Sequence, residues 1–197
     1  MESIEVRIYQ DDVYEEVAKA TDYTGSKLSD QDEGARDRIL AGDEDLADLG
    51  RMWDEAVLAT NESLKEMLVS GATRRVMDAI AVSSGTENEA EDSQSQRESV
   101  QAGESNPVID VDSPGIAEIA GRIAYVAEIE VSKSFDKALT ASVESSLRSF
   151  FISMIIGEWF KFANKSEAAD YFATGAEMMQ AAERMLYSRK KPKRPAN

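Results

Sequence analysis

Residues 150–156 of this 197-residue chain read Phe-Phe-Ile-Ser-Met-Ile-Ile, the longest strongly apolar run in the sequence. Because only one of these side chains is polar, a helix formed here is hydrophobic nearly all round. We predict one long helix over residues 135–162 that contains the stretch. Such a helix belongs either at the centre of a helical bundle or in a contact between subunits, and the sequence leaves both alternatives open.

The segment that follows predicts a second helix packed against the first. Asn164 and Glu167 have the spacing of a capping box, with Asn in place of Ser or Thr, and the helix is expected to run to about Tyr187. The side chains at core-facing positions are Ala168, Tyr171, Phe172, Ala176, Met179, Ala182 and Leu186. The small residues that allow close approach of the helices are Ala169, Ala173, Gly175 and Ala176.

Aromatic residues gather on both sides of the turn between these two helices. They are Trp159, Phe160, Phe162, Tyr171 and Phe172. Aromatic side chains bury large areas, so the group is typical of the hydrophobic contact that holds a helical hairpin together. The alternative is a docking surface, and for this reason Phe151, Trp159 and Phe160 are predicted partner contacts.

The first half of the chain has weaker helical patterns. Asp11 and Asp12 are placed to cap a first helix of about three turns, which Thr24-Gly25-Ser26 is expected to end. A short helix is expected near residues 30–40. Apolar residues at steps of three and four then predict a helix of some 25 residues from Leu46 to Leu68, followed by a short helix over residues 72–81.

Two segments have the alternating pattern of β-strands. Residues 4–8 alternate apolar and polar side chains, and residues 122–131 form the clearest strand candidate. A lone strand is unstable, so the second must pair with residues 4–8, with a partner near residues 108–111, or with another subunit. The sequence therefore predicts a mainly α fold, a helical bundle with a small β element and extended termini.

The composition excludes several kinds of chemistry. The chain has no histidine and no cysteine, which removes zinc sites with nitrogen and sulfur ligands, Ser-His-Asp triads, thiolate nucleophiles and disulfides. The acidic cluster at residues 43–48 is explained by the helix dipole, and Glu128 with Glu130 by a solvated strand face. We expect no catalytic, cofactor-binding or metal-binding residue, and no enzyme activity.

The net charge of −16 is distributed unevenly. Residues 1–82 carry −11, residues 83–107 carry −5, residues 108–188 carry −5 and residues 189–197 carry +5. Residues 83–107 are too polar to form a core, so we predict one domain over residues 1–188 with a flexible acidic insertion there. Its role is either connection alone or an acidic flap that becomes ordered in an assembly.

The last nine residues form a predicted basic arm, since Pro192 and Pro195 prevent a helix. Its cations are Arg189, Lys190, Lys191, Lys193 and Arg194. An extended arm of this kind can contact nucleic-acid phosphates or the acidic groove of a partner, and the alternative is a solvating tail. Residues 1–10 lack the basic start and apolar core of a signal peptide, so we expect a cytosolic chain without membrane contact.

Several short motifs at both ends resemble proteins from the structural gene clusters of tailed phages and prophages of Bacteroidetes hosts, including crAss-like phages. The motifs are residues 9–19 with Tyr23, the strand at residues 125–131, and the segments 159–161, 164–171, 184–186 and 189–192. Among such proteins the chain is similar to head-tail connectors. The insertion at residues 83–107 has no counterpart in that pattern.

The resemblance implies a virion structural protein of the neck, present in the host cytoplasm before assembly. Connector proteins stack as rings, commonly twelvefold, below the portal and present a platform to the tail. The implied partners are further copies of this chain, the portal, and other neck or tail proteins, with genomic DNA passing through the lumen without sequence-specific binding. The alternative from the residues alone is a soluble acidic adaptor or DNA mimic that binds a basic partner.

Overall fold

The computed structural model describes residues 2–29, 34, 36, 39–77 and 121–190. The regular elements among them are β1 (Glu2–Tyr9), α1 (Gln10–Ser29), α2 (Leu46–Ser63), β2 (Leu68–Val76), β3 (Arg122–Val131), α3 (Thr140–Ala163) and α4 (Lys165–Leu186). All of them belong to one compact unit built from residues 1–76 and 121–197. The prediction of a mainly α fold with a small β element is confirmed. The predicted insertion at residues 83–107 lies outside the described residues, so its flexibility stays a prediction.

The strands form one antiparallel sheet in the order β1-β3-β2. β3 has the predicted bounds, and its register on β1 sets Ile4 opposite Ile129 and Ile8 opposite Tyr125. The pairing with the N-terminal segment is therefore confirmed, whereas the alternative partner at residues 108–111 lies outside the described residues. The centre of β3 is buried on both faces, because Ala124 and Val126 are as inaccessible as Tyr125.

β2, the second strand that pairs with β3, includes residues that were predicted to be helical. That prediction is wrong. α2 ends at Ser63, a turn over residues 64–67 reverses the chain, and β2 begins at Leu68. Contacts with α2 hold β2 in place: the Trp53 indole donates to Thr73 Oγ1 at 2.9 Å, and Asn61 Nδ2 donates to the Gly71 carbonyl at 3.2 Å. These hydrogen bonds between α2 and β2 outweigh the local preference for a helix that the apolar spacing indicates.

The first helix is also longer than predicted, since α1 continues through Thr24-Gly25-Ser26 to Ser29. Gly25 does not end the helix. A β-carbon at this position would lie 2.9 Å from the Cα of Arg36, so the glycine allows the following segment to pass close to α1. The helix predicted near residues 30–40 falls mostly outside the described residues.

α3 occupies the centre of the fold, which confirms the first of the two alternatives for the apolar stretch. Phe151 is completely buried, with its ring 4.8 Å from that of Trp53 and 5.3 Å from that of Tyr125. The helix starts at Thr140, later than predicted, after a 3-10 turn that Asp136 caps by accepting from the N–H of Ala138. Residues 137–161 are long and apolar enough to cross a bilayer by length and composition.

α4 packs antiparallel on α3 with nearly the predicted bounds. The Asn164 side chain accepts from the Glu167 N–H at 3.4 Å, as predicted, but the N–H of Asn164 donates to the Phe160 carbonyl. The reciprocal bond of a capping box therefore does not form, and Glu167 Oε2 is buried without a hydrogen-bond partner. Gly175 rather than Ala176 occupies the buried position on this helix, which corrects the predicted core.

Candidate partner-binding surface

Two of the predicted partner contacts belong to the core. Phe151 and Phe160 are both 0% exposed, and Phe160 packs on Tyr171 with 5.9 Å between ring centroids. Their prediction as surface contacts is therefore wrong, because a fully buried side chain cannot reach a partner without opening the core. Trp159 is partly buried, and its indole N–H donates to the Ile39 carbonyl at 2.7 Å. The hairpin contact predicted for the aromatic group is confirmed for Phe160 with Tyr171.

The basic arm begins at a fixed position on the surface. Phe135 and Arg189 form an antiparallel bridge, and the Lys190 N–H donates to the Ser134 carbonyl at 2.8 Å. Both cationic side chains are exposed. The other predicted arm cations, Lys191, Lys193 and Arg194, lie outside the described residues.

The turn to which the arm is attached adds a third cation. Residues 132–135 form a tight turn in which the Ser134 N–H donates to Ser132 Oγ at 3.3 Å and the N–H of Phe135 donates to the Ser132 carbonyl. Lys133 is exposed at its tip. We call Lys133, Arg189 and Lys190 the basic corner. Lys133 was not a predicted site residue, because only the fold brings it to the C-terminal arm.

A groove of about 610 Å³ lies beside the basic corner. It is lined by Glu66, Met67, Glu130, Val131, Ser132, Lys133, Leu186, Tyr187 and Arg189. Tyr187 is 63% exposed. With two carboxylates, two cations and an apolar floor, the groove can hold an amphipathic peptide segment rather than a single charged group.

The two outer edges of the sheet differ in accessibility. Along β1, Arg7 lies near the Glu144 carboxylate of α3, and Lys137 Nζ in the turn before α3 lies 3.2 Å from a Glu2 carboxylate oxygen. Burial raises the pKa of Glu144, while the N–H and charge of Arg7 oppose that rise. Along β2, six of nine residues are exposed and the other three are half-buried, and no strand of the described sheet pairs with its outer edge.

A cluster around Arg122 joins the start of β3 to the start of α1. Its guanidinium donates to both oxygens of Asp11 at 2.7 and 2.8 Å, also contacts Asp12, and lies 4.1 Å from the Tyr9 ring centroid. The guanidinium holds the pKa of Asp11 below its usual range. These bonds join the start of β3 to the start of α1, so we assign the cluster a structural role.

The described residues contain no group of three or more acidic side chains placed to hold a metal ion. Within the acidic cluster, Asp45 instead accepts from the Gly42 N–H at 3.0 Å, as expected at the start of a helix. No protein family, no curated protein and no solved structure was found to match this chain.

Proposed function

We propose that this chain is a structural protein of the neck of a tailed phage, where copies form a ring below the portal. The basic corner is the observation that carries the proposal, together with the resemblance of the terminal motifs. It fixes the position of Arg189 and Lys190, the first two residues of the predicted arm. An arm anchored in this way loses less conformational entropy on docking than a tail that is free from its first residue.

The negative charge of residues 1–188 supports a role in which DNA passes the protein without being bound. Residues 1–188 carry −21, against +5 on residues 189–197. An acidic lining repels the phosphate backbone, and DNA can then slide without being retained. Residues 189–197 carry five of the 22 Lys and Arg side chains and no acidic one, and contact with the portal or an adjacent ring is proposed for this segment.

The test compares three forms of the protein for binding to the portal and neck proteins encoded by the same genome. These are the wild type, a chain truncated after Lys190, and a charge-matched control, Lys161→Gln with Lys165→Gln and Arg184→Gln, which removes three positive charges at exposed sites away from the corner. The truncation should abolish co-sedimentation with the portal, whereas the control should retain it. Equal binding by the truncated and wild-type chains would refute docking through the arm.

The alternative, an acidic adaptor or DNA mimic, is favoured by the net charge alone. The same truncation separates the two functions, because an acidic mimic should keep or improve its binding to a basic partner when three cations are removed. Mass spectrometry of purified virions gives a second test. Absence of the chain from virions of the phage that encodes it would refute the neck assignment.

A further inference from the structure

The groove beside the basic corner contains two carboxylates that no described cation neutralises. Glu66 and Glu130 both line the groove with exposed side chains, and neither takes part in an ion pair among the described residues. The apolar floor beside them consists of Met67, Val131 and Leu186. The groove therefore combines negative charge with an apolar surface.

An exposed aromatic ring completes the groove. Tyr187 is 63% exposed, and no ring among the described residues packs on it. Its position is nevertheless fixed, because its backbone N–H donates to the Glu183 carbonyl at 3.2 Å at the end of α4. Aromatic-lined grooves of this kind bind segments in the polyproline II conformation.

The C-terminal sequence of the chain itself matches the groove in pattern and charge. Residues 192–195 read Pro-Lys-Arg-Pro, and a further lysine precedes them. Proline fixes its own φ and restricts the residue before it to extended conformations, so the pattern predicts a polyproline II segment. It also has the spacing Pro-x-x-Pro that aromatic-lined grooves recognise, and its three cations complement Glu66 and Glu130.

The direction of the chain at Lys190 favours this segment as the occupant. Arg189 pairs antiparallel with Phe135, and the Lys190 N–H donates to the Ser134 carbonyl at 2.8 Å. At this point the chain is therefore directed toward Lys133, which lines the groove together with Arg189. Residue 191 follows directly, so the segment needs no long connection to reach the groove.

We propose that the groove is a docking site for an extended basic segment with the pattern Pro-x-x-Pro, and that residues 191–195 of the same chain occupy it in the free protein. A short connection gives an attached segment an effective concentration of about 1 mM, so a segment of another molecule at micromolar concentration competes poorly. Lys133 and Arg189 reduce the net attraction, and the contact therefore depends on the prolines and Tyr187 as well as on charge. The inference does not rest on the proposed function, in which the arm leaves the groove when it binds the portal.

The first test measures binding of an acetylated, fluorescently labelled peptide of residues 191–197 by anisotropy. The chain truncated after Lys190 should bind the peptide, and the full-length chain should bind it about tenfold more weakly because its own arm competes. Absence of binding to the truncated chain overturns the proposal. Equal binding by the two chains overturns it as well, since the groove would then be empty in the free protein.

Variants of the truncated chain test whether the peptide lies in the groove. Glu66→Gln with Glu130→Gln should weaken binding about tenfold, and Tyr187→Ala should have a comparable effect. The matched control, Asp170→Asn with Glu177→Gln, removes the same charge at exposed positions on α4 away from the groove and should bind as the parent does. An equal loss in the control refutes the site.

A second peptide tests the contribution of the prolines. Replacing both prolines by alanine keeps the charge and removes the preorganised conformation, so binding should weaken about fivefold. If the alanine peptide binds as tightly as the native one, attraction between charges alone explains the result and docking of a Pro-x-x-Pro segment is refuted.

Sedimentation velocity decides between the same chain and a second copy as the source of the segment. The full-length and truncated chains should have the same association state. Self-association of the full-length chain that the truncation abolishes would place the arm in the groove of a second copy and would overturn the proposal. Peptide binding needs no portal, so loss of the neck function and loss of this inference are separate results.

Discussion

β1 and β2 pair with the same strand from opposite sides, but different parts of the molecule hold them in place. β1 alternates Ile4, Val6 and Ile8 with polar residues, and the start of α3 covers its edge. β2 has no large buried side chain and depends on hydrogen bonds from α2. The difference shows that a strand can be formed by its own side-chain pattern or by the contacts that a neighbouring helix offers it.

The largest effect is expected from removing the side chain that anchors β2. Trp53→Ala deletes a fully buried ring that contacts Phe151 and donates to Thr73. The change should lower the free energy of unfolding by about 3–5 kcal/mol. Urea denaturation gives the magnitude, and hydrogen exchange should show greater loss of protection in β2 than in β1. Equal loss in both strands would contradict the dependence of β2 on α2.

A smaller effect is expected at the glycine of β2. A β-carbon at Gly71 would overlap Asn61 Oδ1 and lie 2.8 Å from the Tyr125 hydroxyl, so Gly71→Ala should destabilise the protein by about 1–3 kcal/mol. Gly50→Ala is the matched control, because nothing lies within 4 Å of its β-carbon. This helical substitution should stabilise the chain by about 0.5–1 kcal/mol. Thermal unfolding of the two variants should therefore shift in opposite directions.

The edge of β1 can be tested by pH. Burial raises the pKa of Glu144 in the folded chain, so its contribution to stability is fully present below its ordinary pKa of 4.5 and is lost as pH rises through the raised value. Glu144→Gln keeps the size and the polar oxygen of the side chain and cannot ionise. Its stability relative to wild type should be higher at pH 7 than at pH 4, as measured by urea denaturation. Glu177→Gln controls for the lost charge, and a pH-independent difference for Glu144→Gln would argue against burial of this carboxyl.

The smallest effect is expected from the exposed ion pair at the other end of β1. Lys137 and Glu2 are 3.2 Å apart with both side chains largely in solvent. Lys137→Ala should change the free energy of unfolding by less than about 0.5 kcal/mol. Urea denaturation measures the change. A larger loss of free energy of unfolding would mean that the ion pair with Lys137 stabilises the start of β1 more than an exposed pair should.

These two strands also show how far the sequence could predict the fold. β1 and α4 were predictable because the burial of each follows the period of its own structure, and α3 because it is apolar nearly all round. β3 was predictable from the alternation of its larger apolar residues, although its centre is buried on both faces. β2 was not, because its register depends on Trp53 and Asn61, whose roles appear only when α2 is in place. The end of α1 was predicted too early, at Gly25. A glycine that lets another segment pass close to a helix looks the same in the sequence as a glycine that ends one.

The candidate surface was predictable to a similar extent. The exposed cations at Arg189 and Lys190 followed from charge and proline content. Lys133 did not, since its proximity to the arm is set by the Phe135 bridge. Phe151 and Phe160 were assigned to a partner surface because an apolar stretch has the same composition in a core as in an interface.

The central position of β3 has a consequence for synthesis on the ribosome. β1 and β2 precede β3 in the chain, and each pairs only with β3 within the described sheet. β1 therefore remains without its neighbour while the next hundred or so residues are added, which takes roughly 5–20 s at ordinary elongation rates. Nascent chains that stop before Gly121 contain both outer strands and lack the one that joins them. Such chains are the species on which we expect chaperones to act.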